Sequence, residues 1–452
     1  MSIDLTAFTE ALFQAAQAEG FTDYELYHAS GTTDTYRVYD GEIIEYKSAG
    51  ADGVSFRGLY NGKMGYASSE RIAKDVIPFL IESAKQNAEI IDSADAETLY
   101  AGDAAYPEVN TYNPALTSVS SSDKAEAALA LERVALQTDA RITGTSYCLL
   151  TGGESAVTIA NSKGLHLSAR SNHTVAYVSP KAEEKGEVQT GFAFYAGNDW
   201  NGFNPAAIAE TAAASAISRL GAQSVASGAY DLLIHHEAMI DLLDAFSGVF
   251  SADSVQKGFS LLAGKLNETV ASKAVTLRDD ALLDNELGSS AFDSEGVAGQ
   301  NKVVIEKGVL KTYLHNTKTA AKDGIKSTGN GFKASFRASV GIEPTNFYIV
   351  PSETAYADMV KRLQNGLVMT ELAGLHAGAN EISGDFSLSA KGYKVENGTV
   401  GGAVEQITIA GNFLTLLKEI EAVGADFRFG LSGAGNIGAP SVLVRGISVS
   451  GK

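Results

Sequence analysis

Before residue 220 the chain runs twice through one order, helix, antiparallel meander, helix, and this recurrence restricts the available folds more than any other feature. Leu5, Phe8, Leu12, Phe13 and Ala16 recur at helical spacing and predict an opening amphipathic helix. Thr35–Val38 and Ile43–Tyr46 flank Asp40-Gly41, a strong hairpin signal. Val54–Tyr60 alternates, then turns at Asn61-Gly62 into Met64–Ala67. A helical pattern runs from Glu70 to about Ala88, and Pro78 inside it predicts a kink or a later start. The second round begins at Asp123-Lys124-Ala125-Glu126, read as a capping box for a helix to about Gln137. Strands at Ile142–Leu150, Ala156–Ala160, Leu165–Val178 and Val188–Phe194 follow, and Asn204-Pro205 opens the next helix.

Two such rounds suggest a possible internal duplication. Gly221–Gly228 is small and polar and marks a boundary, giving an N-terminal domain over 1–222 and a C-terminal domain over 223–452. The second part is mainly β, with strands predicted at Val303–Ile305, Leu310–Leu314, Phe347–Val350, Gly366–Glu371, Tyr393–Glu396, Ile407–Ala410 and Val442–Val449. Helices at about Glu237–Phe250, Glu353–Asn365 and Phe413–Ala422 interrupt it. Helices and antiparallel strands grouped in this way argue for an α+β fold.

Charge excludes one class of function. With 35 Lys and Arg against 54 Asp and Glu, the net charge of −19 repels phosphate backbones and disfavours direct contact with nucleic acid. A basic stretch from Lys302 to Arg337 runs against that balance and reads as a solvated surface. The single cysteine, Cys148, rules out an intrachain disulfide and a Cys-ligated zinc finger; its apolar neighbours predict a small buried hydrophobe. Met1-Ser2-Ile3-Asp4 shows no targeting pattern, and no run reaches the ~20 apolar residues of a membrane span, so a cytoplasmic protein without membrane association is expected.

One segment looks like metallopeptidase chemistry. Asp231–Ile234 reads as a strand running into a helix through His235-His236-Glu237. A zincin places two histidines four residues apart on one helical face, with the glutamate as base toward a metal-bound water. Here Met239 lies four beyond His235, and Ile240 four beyond His236. Asp241, five beyond His236, falls ~140° around an ideal helix at ~100° per residue. His236 and Asp241 could share a metal only if the helix is distorted or starts after His236, with Glu237 as the base. Alternatively, Ala238, Leu242, Ala245, Phe246 and Val249 form a buried stripe, and Glu237, Asp241 and Asp244 a solvated acidic face. Two other motifs are weaker. Gly433-Ala434-Gly435-Asn436-Ile437-Gly438 spells a dinucleotide fingerprint, but Pro440 and an alternating strand follow where a helix is needed. Ser383, Asp385 and His376 could be named a triad, yet turn chemistry explains Ser383-Gly384-Asp385 as well.

An ordered set of segments resembles the TldD/PmbA family. It comprises Gly53–Arg57 with Asn61–Ser68, Phe292–Gly296, Lys326–Asn330, Ile382–Ser387, Val395–Gly398 and Ile407–Asn412. The resemblance spans from about residue 20 to the C-terminus. It implies a bacterial or archaeal cytosolic protein of peptide proteolysis, with an N-terminal α/β domain and a mainly β C-terminal domain. The family is also described as modulating DNA gyrase. Its TldD-like branch carries His-Glu-x-x-x-His and a C-terminal Cys as metal ligands; its PmbA-like (TldE) branch lacks that set and partners the active subunit. This chain matches at His236 and Glu237, has Asp241 in place of the second His, and has no Cys near Gly435–Ala439. The resemblance therefore implies a PmbA-like subunit without a cofactor of its own. Zinc is expected in a TldD-like partner, the assembly is a hetero- or homodimer, and a peptide or small protein is the substrate. His236 and Asp241 are then vestigial metal ligands. Two alternatives stay open: a self-sufficient metallopeptidase using His236, Glu237 and Asp241, and a non-enzymatic binding protein acting on gyrase or a protein toxin.

Overall fold

The computed structural model describes residues 4–91, 97–431 and 435–452. The readings made on Met1–Ile3, and on Gly433 and Ala434, lie outside the described residues. The fold is α+β. Its N-terminal part opens with helix α1, Leu5–Ala18, capped by Asp4 and burying Phe8, Leu12 and Ala16 along one stripe. Strand β1, Asp23–Tyr39, turns through Asp40-Gly41 into β2, Glu42–Tyr60, which turns through Asn61-Gly62 into β3, Lys63–Ser69. All four turn residues have positive φ, as a tight hairpin between twisted strands requires. Helix α2, Ile77–Ile90, starts later than Glu70 because Pro78 fits the first turn, where its missing N–H costs no hydrogen bond.

The second round repeats that order. After a short helix α3, Pro114–Thr117, come α4, Ser121–Thr138, and strands β4, Ile142–Asn161, and β5, His166–Glu184. Strands β6, Glu187–Thr190, and β7, Ala193–Gly197, and helix α5, Pro205–Ser218, complete it. Helix α4 is capped one turn before Asp123–Glu126: Ser120 accepts from the Asp123 N–H at 3.1 Å and donates to its carboxylate at 2.7 Å. The sheet runs β3-β2-β1-β4-β5-β6, with β7 also on β5, and the antiparallel β1–β4 pair joins the two meanders. Helices α1 and α2 cover the first meander around Phe8, Phe56 and Leu80; α4 and α5 cover the second around Leu131, Leu150 and Val178.

These strands are longer than expected. Ile43–Tyr46 and Val54–Tyr60 belong to one strand, and so do Ile142–Leu150 and Ala156–Ala160. The intervening glycines mark close approach, not turns. A Cβ at Gly53 would run into the Phe336 ring, and one at Gly153 into the Thr32 carbonyl.

Beyond residue 227 two six-stranded sheets form. One runs Thr399–Asn412, Asp385–Glu396, Gly366–Ala373, β8 (Gly228–Ile234), Val442–Ser450, Ile420–Val423. The other runs Val309–Leu310, Asn301–Glu306, Leu277–Asp280, Asn346–Ile349, Asn436–Ala439, Arg428–Phe429. Helix α6, His236–Ala245, lies in the core they share: Met239, Leu242 and Phe246 join a cluster with Leu232 and Met369 from the first sheet and Phe347 and Ile437 from the second. The helix expected to reach Phe250 stops at Ala245, and Ser247–Phe250 forms a tighter turn beside Glu381. The helix expected to reach Ala422 stops at Glu419, because Ile420–Val423 pairs with Val442–Val444 instead.

The basic stretch is not one solvated face. Lys302 is buried against Asp279 at 2.6 Å, and Lys333 donates to Ser55 at 2.9 Å beneath the Tyr27 ring. Cys148 is buried, and burial pushes its thiol up to about 12. Among the described residues no helix is long and apolar enough to cross a membrane.

Arg57 of β2 links the two parts. It pairs with Glu25 of β1 at 2.7 Å and lies 3.9 Å from Glu295, all three nearly sealed from solvent. Removing one partner of such a group strands buried charge. Arg57→Ala should therefore cost about 3–5 kcal/mol of stability in urea unfolding. A loss under about 1 kcal/mol would mean that the pair behaves as an exposed one.

Candidate functional site

The candidate site grows from the end of β8. His235 stays extended, and its N–H still bonds to the Met369 carbonyl at 2.8 Å, so the ladder runs to the last residue before α6. His236 is the first helical residue. Its N–H, one of those a helix leaves without an internal partner, donates to Ser441 Oγ at 3.1 Å. Its Nδ1 lies 3.2 Å from Asp426 Oδ2, which also accepts from Ser441 Oγ at 2.6 Å. Burial alone would raise the Asp426 carboxyl, but the hydrogen bonds from His236 and Ser441 outweigh it and hold it at about 2. The carboxylate thus fixes the imidazole ring and leaves Nε2 as the nitrogen not engaged with Asp426. The His235 ring packs against that of His236, centroids 3.8 Å apart and planes tilted by 37°. Burial, helped by His236, pushes His235 down to about 4, so this ring is neutral at pH 7.

His236, Glu237, Ile240 and Asp241 line one wall of a cavity of ≈ 370 Å³. Thr370 and Glu371 supply another wall, Arg428 and Phe429 a third. The last comes from the N-terminal part: Ser179, Thr190–Phe192, Phe194 and Arg219. Arg219 bridges the parts, donating to Glu371 at 2.6 Å and to the Thr190 carbonyl at 2.8 Å. Glu237 is exposed, but Asp241 is not the solvated acid of the amphipathic reading. Burial first, then the charges of Glu237, Asp244 and Glu371, push its carboxyl up to about 7.

His236 and Asp241 therefore face one cavity. The cluster of three donor groups among the described residues is a different one, His235, His236 and Asp426, whose ligand atoms lie within 4.8 Å of one another. Asp426 and Arg219 were not readable from helical spacing: Asp426 is 190 residues from His236 in the chain, and Arg219 belongs to the other part.

The weaker motifs resolve into local structure. Ser383 Oγ accepts from the Asp385 N–H at 3.2 Å and Asp385 accepts from Asn412 at 3.0 Å, so both shape a turn. His376 is exposed on the short helix Leu375–Gly378, and among the described residues no hydrogen bond joins it to either. Asn436–Ala439 is a strand parallel to Asn346–Ile349, so the glycine fingerprint lacks the helix that phosphate binding needs.

Three family models match in chain order. They are the PmbA/TldA metallopeptidase domain 1 over residues 24–88, its central domain over 114–220 and its C-terminal domain over 227–451. Metalloprotease PmbA of Escherichia coli O157:H7 is 28% identical over 456 residues, covering 99% of this chain and 96% of its own. A crystal structure of a proposed modulator of a DNA gyrase from Thermotoga maritima MSB8 superposes with a TM-score of 0.91 at 33% identity, covering 98% of this chain and all of that one. TldE from Thermococcus kodakarensis has the same fold, with a TM-score of 0.91 at 21% identity over 98% of this chain and all of its own.

The Asp241 shift has a sign that can be tested. The unfolded chain releases this proton near pH 4, the folded one at about 7. The stability this group contributes is complete below pH ~4 and is lost as pH rises through about 7. In urea unfolding with EDTA, the wild type should lose more stability between pH 5 and pH 8 than Asp241→Asn. An equal loss in both proteins would mean the carboxyl is not held protonated.

Proposed function

Because the chain belongs to the PmbA/TldD metallopeptidase family, we propose that it is the PmbA-like subunit of a two-subunit cytoplasmic peptidase, enclosing and binding peptide while a TldD-like partner supplies the zinc. The observation that carries this reading is the fate of Asp241. It stands where the active branch has its second histidine, yet it does not belong to the three-donor cluster. Its carboxyl also takes up a proton far more readily than a free aspartate. The residues at this motif therefore do not fit the ligand set of the active branch. Glu371, the carboxylate across the cavity, is paired with Arg219.

What the chain's own residues suit is holding an extended peptide. Strand Arg428–Phe429 ends its sheet, pairing with Asn436–Ala439 on one side only among the described strands, and it forms a wall of the cavity. A peptide laid along that edge would gain main-chain hydrogen bonds whatever its sequence. Phe192 and Phe429 in the lining offer apolar contact, and Arg428 a charge.

The cluster of His235, His236 and Asp426 favours a second reading, in which this chain holds a divalent cation and Glu237 acts as general base. Zinc content and peptide hydrolysis distinguish the two. Under the first reading, the purified chain carries well under one zinc and hydrolyses peptide only when a TldD-like subunit is added. Stoichiometric zinc with peptidase activity from the chain alone would sink that reading, and Glu237→Gln should then abolish the activity.

A further inference from the structure

A second cavity, of ≈ 390 Å³, adjoins the first and shares Gly430 and Leu431 with it. Its walls again come from both parts of the chain. Asn172 and His173 of β5 and Asn198 stand on one side, the Asn285–Leu287 turn and Asn436 on the other. The lining is almost wholly neutral. Burial pushes His173 down, which keeps its ring uncharged at pH 7, and among the described residues Glu286 is the one carboxylate in the lining, with no Lys or Arg beside it.

Glu286 is held in place. Asn285 at its side has positive φ, its N–H donates to the Asn110 carbonyl at 2.8 Å, and its side-chain oxygen accepts from Asn198 at 3.4 Å. Asn436 Nδ2 donates to Asn346 at 2.9 Å and reaches Glu286 Oε2 at 3.3 Å. One long hydrogen bond from a neutral amide leaves most of the carboxylate's acceptor capacity open. A half-buried carboxylate among amide groups, without a cation, is complementary to an ammonium or guanidinium group, which supplies the missing charge and several donors together. Leu287 and Leu431 are among the exposed large apolar side chains and suit the methylene stem of such a group.

We propose that this second cavity takes a lysine or arginine side chain of the bound peptide, with Glu286 as the group that recognises it. The inference rests on the peptide-binding reading above and adds a preference to it. The peptide crosses at Gly430-Leu431, with its main chain along Arg428–Phe429 and a basic side chain in the amide-lined cavity.

The test measures binding of fluorescent peptides to the full chain by anisotropy at ~150 mM salt, where distant surface charge is largely screened. The peptides are N-acetylated and differ at one position, Lys, Arg or norleucine; a fourth carries norleucine with a free N-terminus. Lys and Arg peptides should bind about tenfold more tightly than the acetylated norleucine peptide. Glu286→Gln should bring that ratio close to one, while Glu10→Gln, an equal charge change on the exposed face of α1, leaves it in place. Equal affinity for Lys and norleucine peptides overturns the inference but leaves peptide binding standing. So does a ratio that Glu10→Gln lowers as far as Glu286→Gln does, because the preference is then general electrostatics. A gain seen only with the free N-terminus reassigns the cavity to a terminal ammonium and overturns the side-chain assignment. Failure of every peptide to bind overturns both readings.

Discussion

Helix α6 must bury nearly everything it carries, and this requirement places the site. Ala238, Met239, Leu242 and Leu243 are sealed from water between the two C-terminal sheets, so the helix can neither rotate nor slide without exposing them. At about 25 cal/mol per Å² of apolar surface, turning such a face outward would cost several kcal/mol. The polar residues of its first turn and Asp241 are left to face the seam with the N-terminal part. The His235-His236-Glu237 corner is thus held from both directions: by the β8 ladder behind it, through the His235 N–H, and by Ser441 and Asp426 beside it.

The same arrangement governs the charges. Glu237, Asp241, Asp244 and Glu371 crowd one region, and Arg219 pairs with Glu371 in the cavity wall. Burial first, and then the repulsion of these neighbours, holds a proton on Asp241 toward neutral pH. A histidine at that position would be neutral or a ligand. An aspartate there, its proton retained toward neutral pH, presents an uncharged carboxyl to the cavity.

Much of this was legible in the chain. Asp40-Gly41 and Asn61-Gly62 declared their hairpins because positive φ at both positions is a local demand that few residue pairs meet. Pro78 gave the start of α2, and Asn204-Pro205 that of α5. Strand lengths were not legible, because Gly53 and Gly153 look like turn residues and only the packed structure shows what presses against them. The α4 cap was misplaced by one turn because Ser120 and Asp123 answer the same rule as Asp123 and Glu126. At the site, the His236-Glu237 segment stood out from sequence. Asp426 and Arg219 did not, since pairing across 190 residues leaves no periodic trace.

The linkage of Arg57 to Glu25 and Glu295 has one more consequence. Cavities walled by two parts of a chain commonly admit large ligands by swinging those parts open about a hinge. Here any such swing would pull on a buried guanidinium and its carboxylates at one end, and on the Arg219–Glu371 bridge at the cavity itself. Opening the seam would break both contacts, so the width of the two cavities is set by the folded chain and not by a hinge.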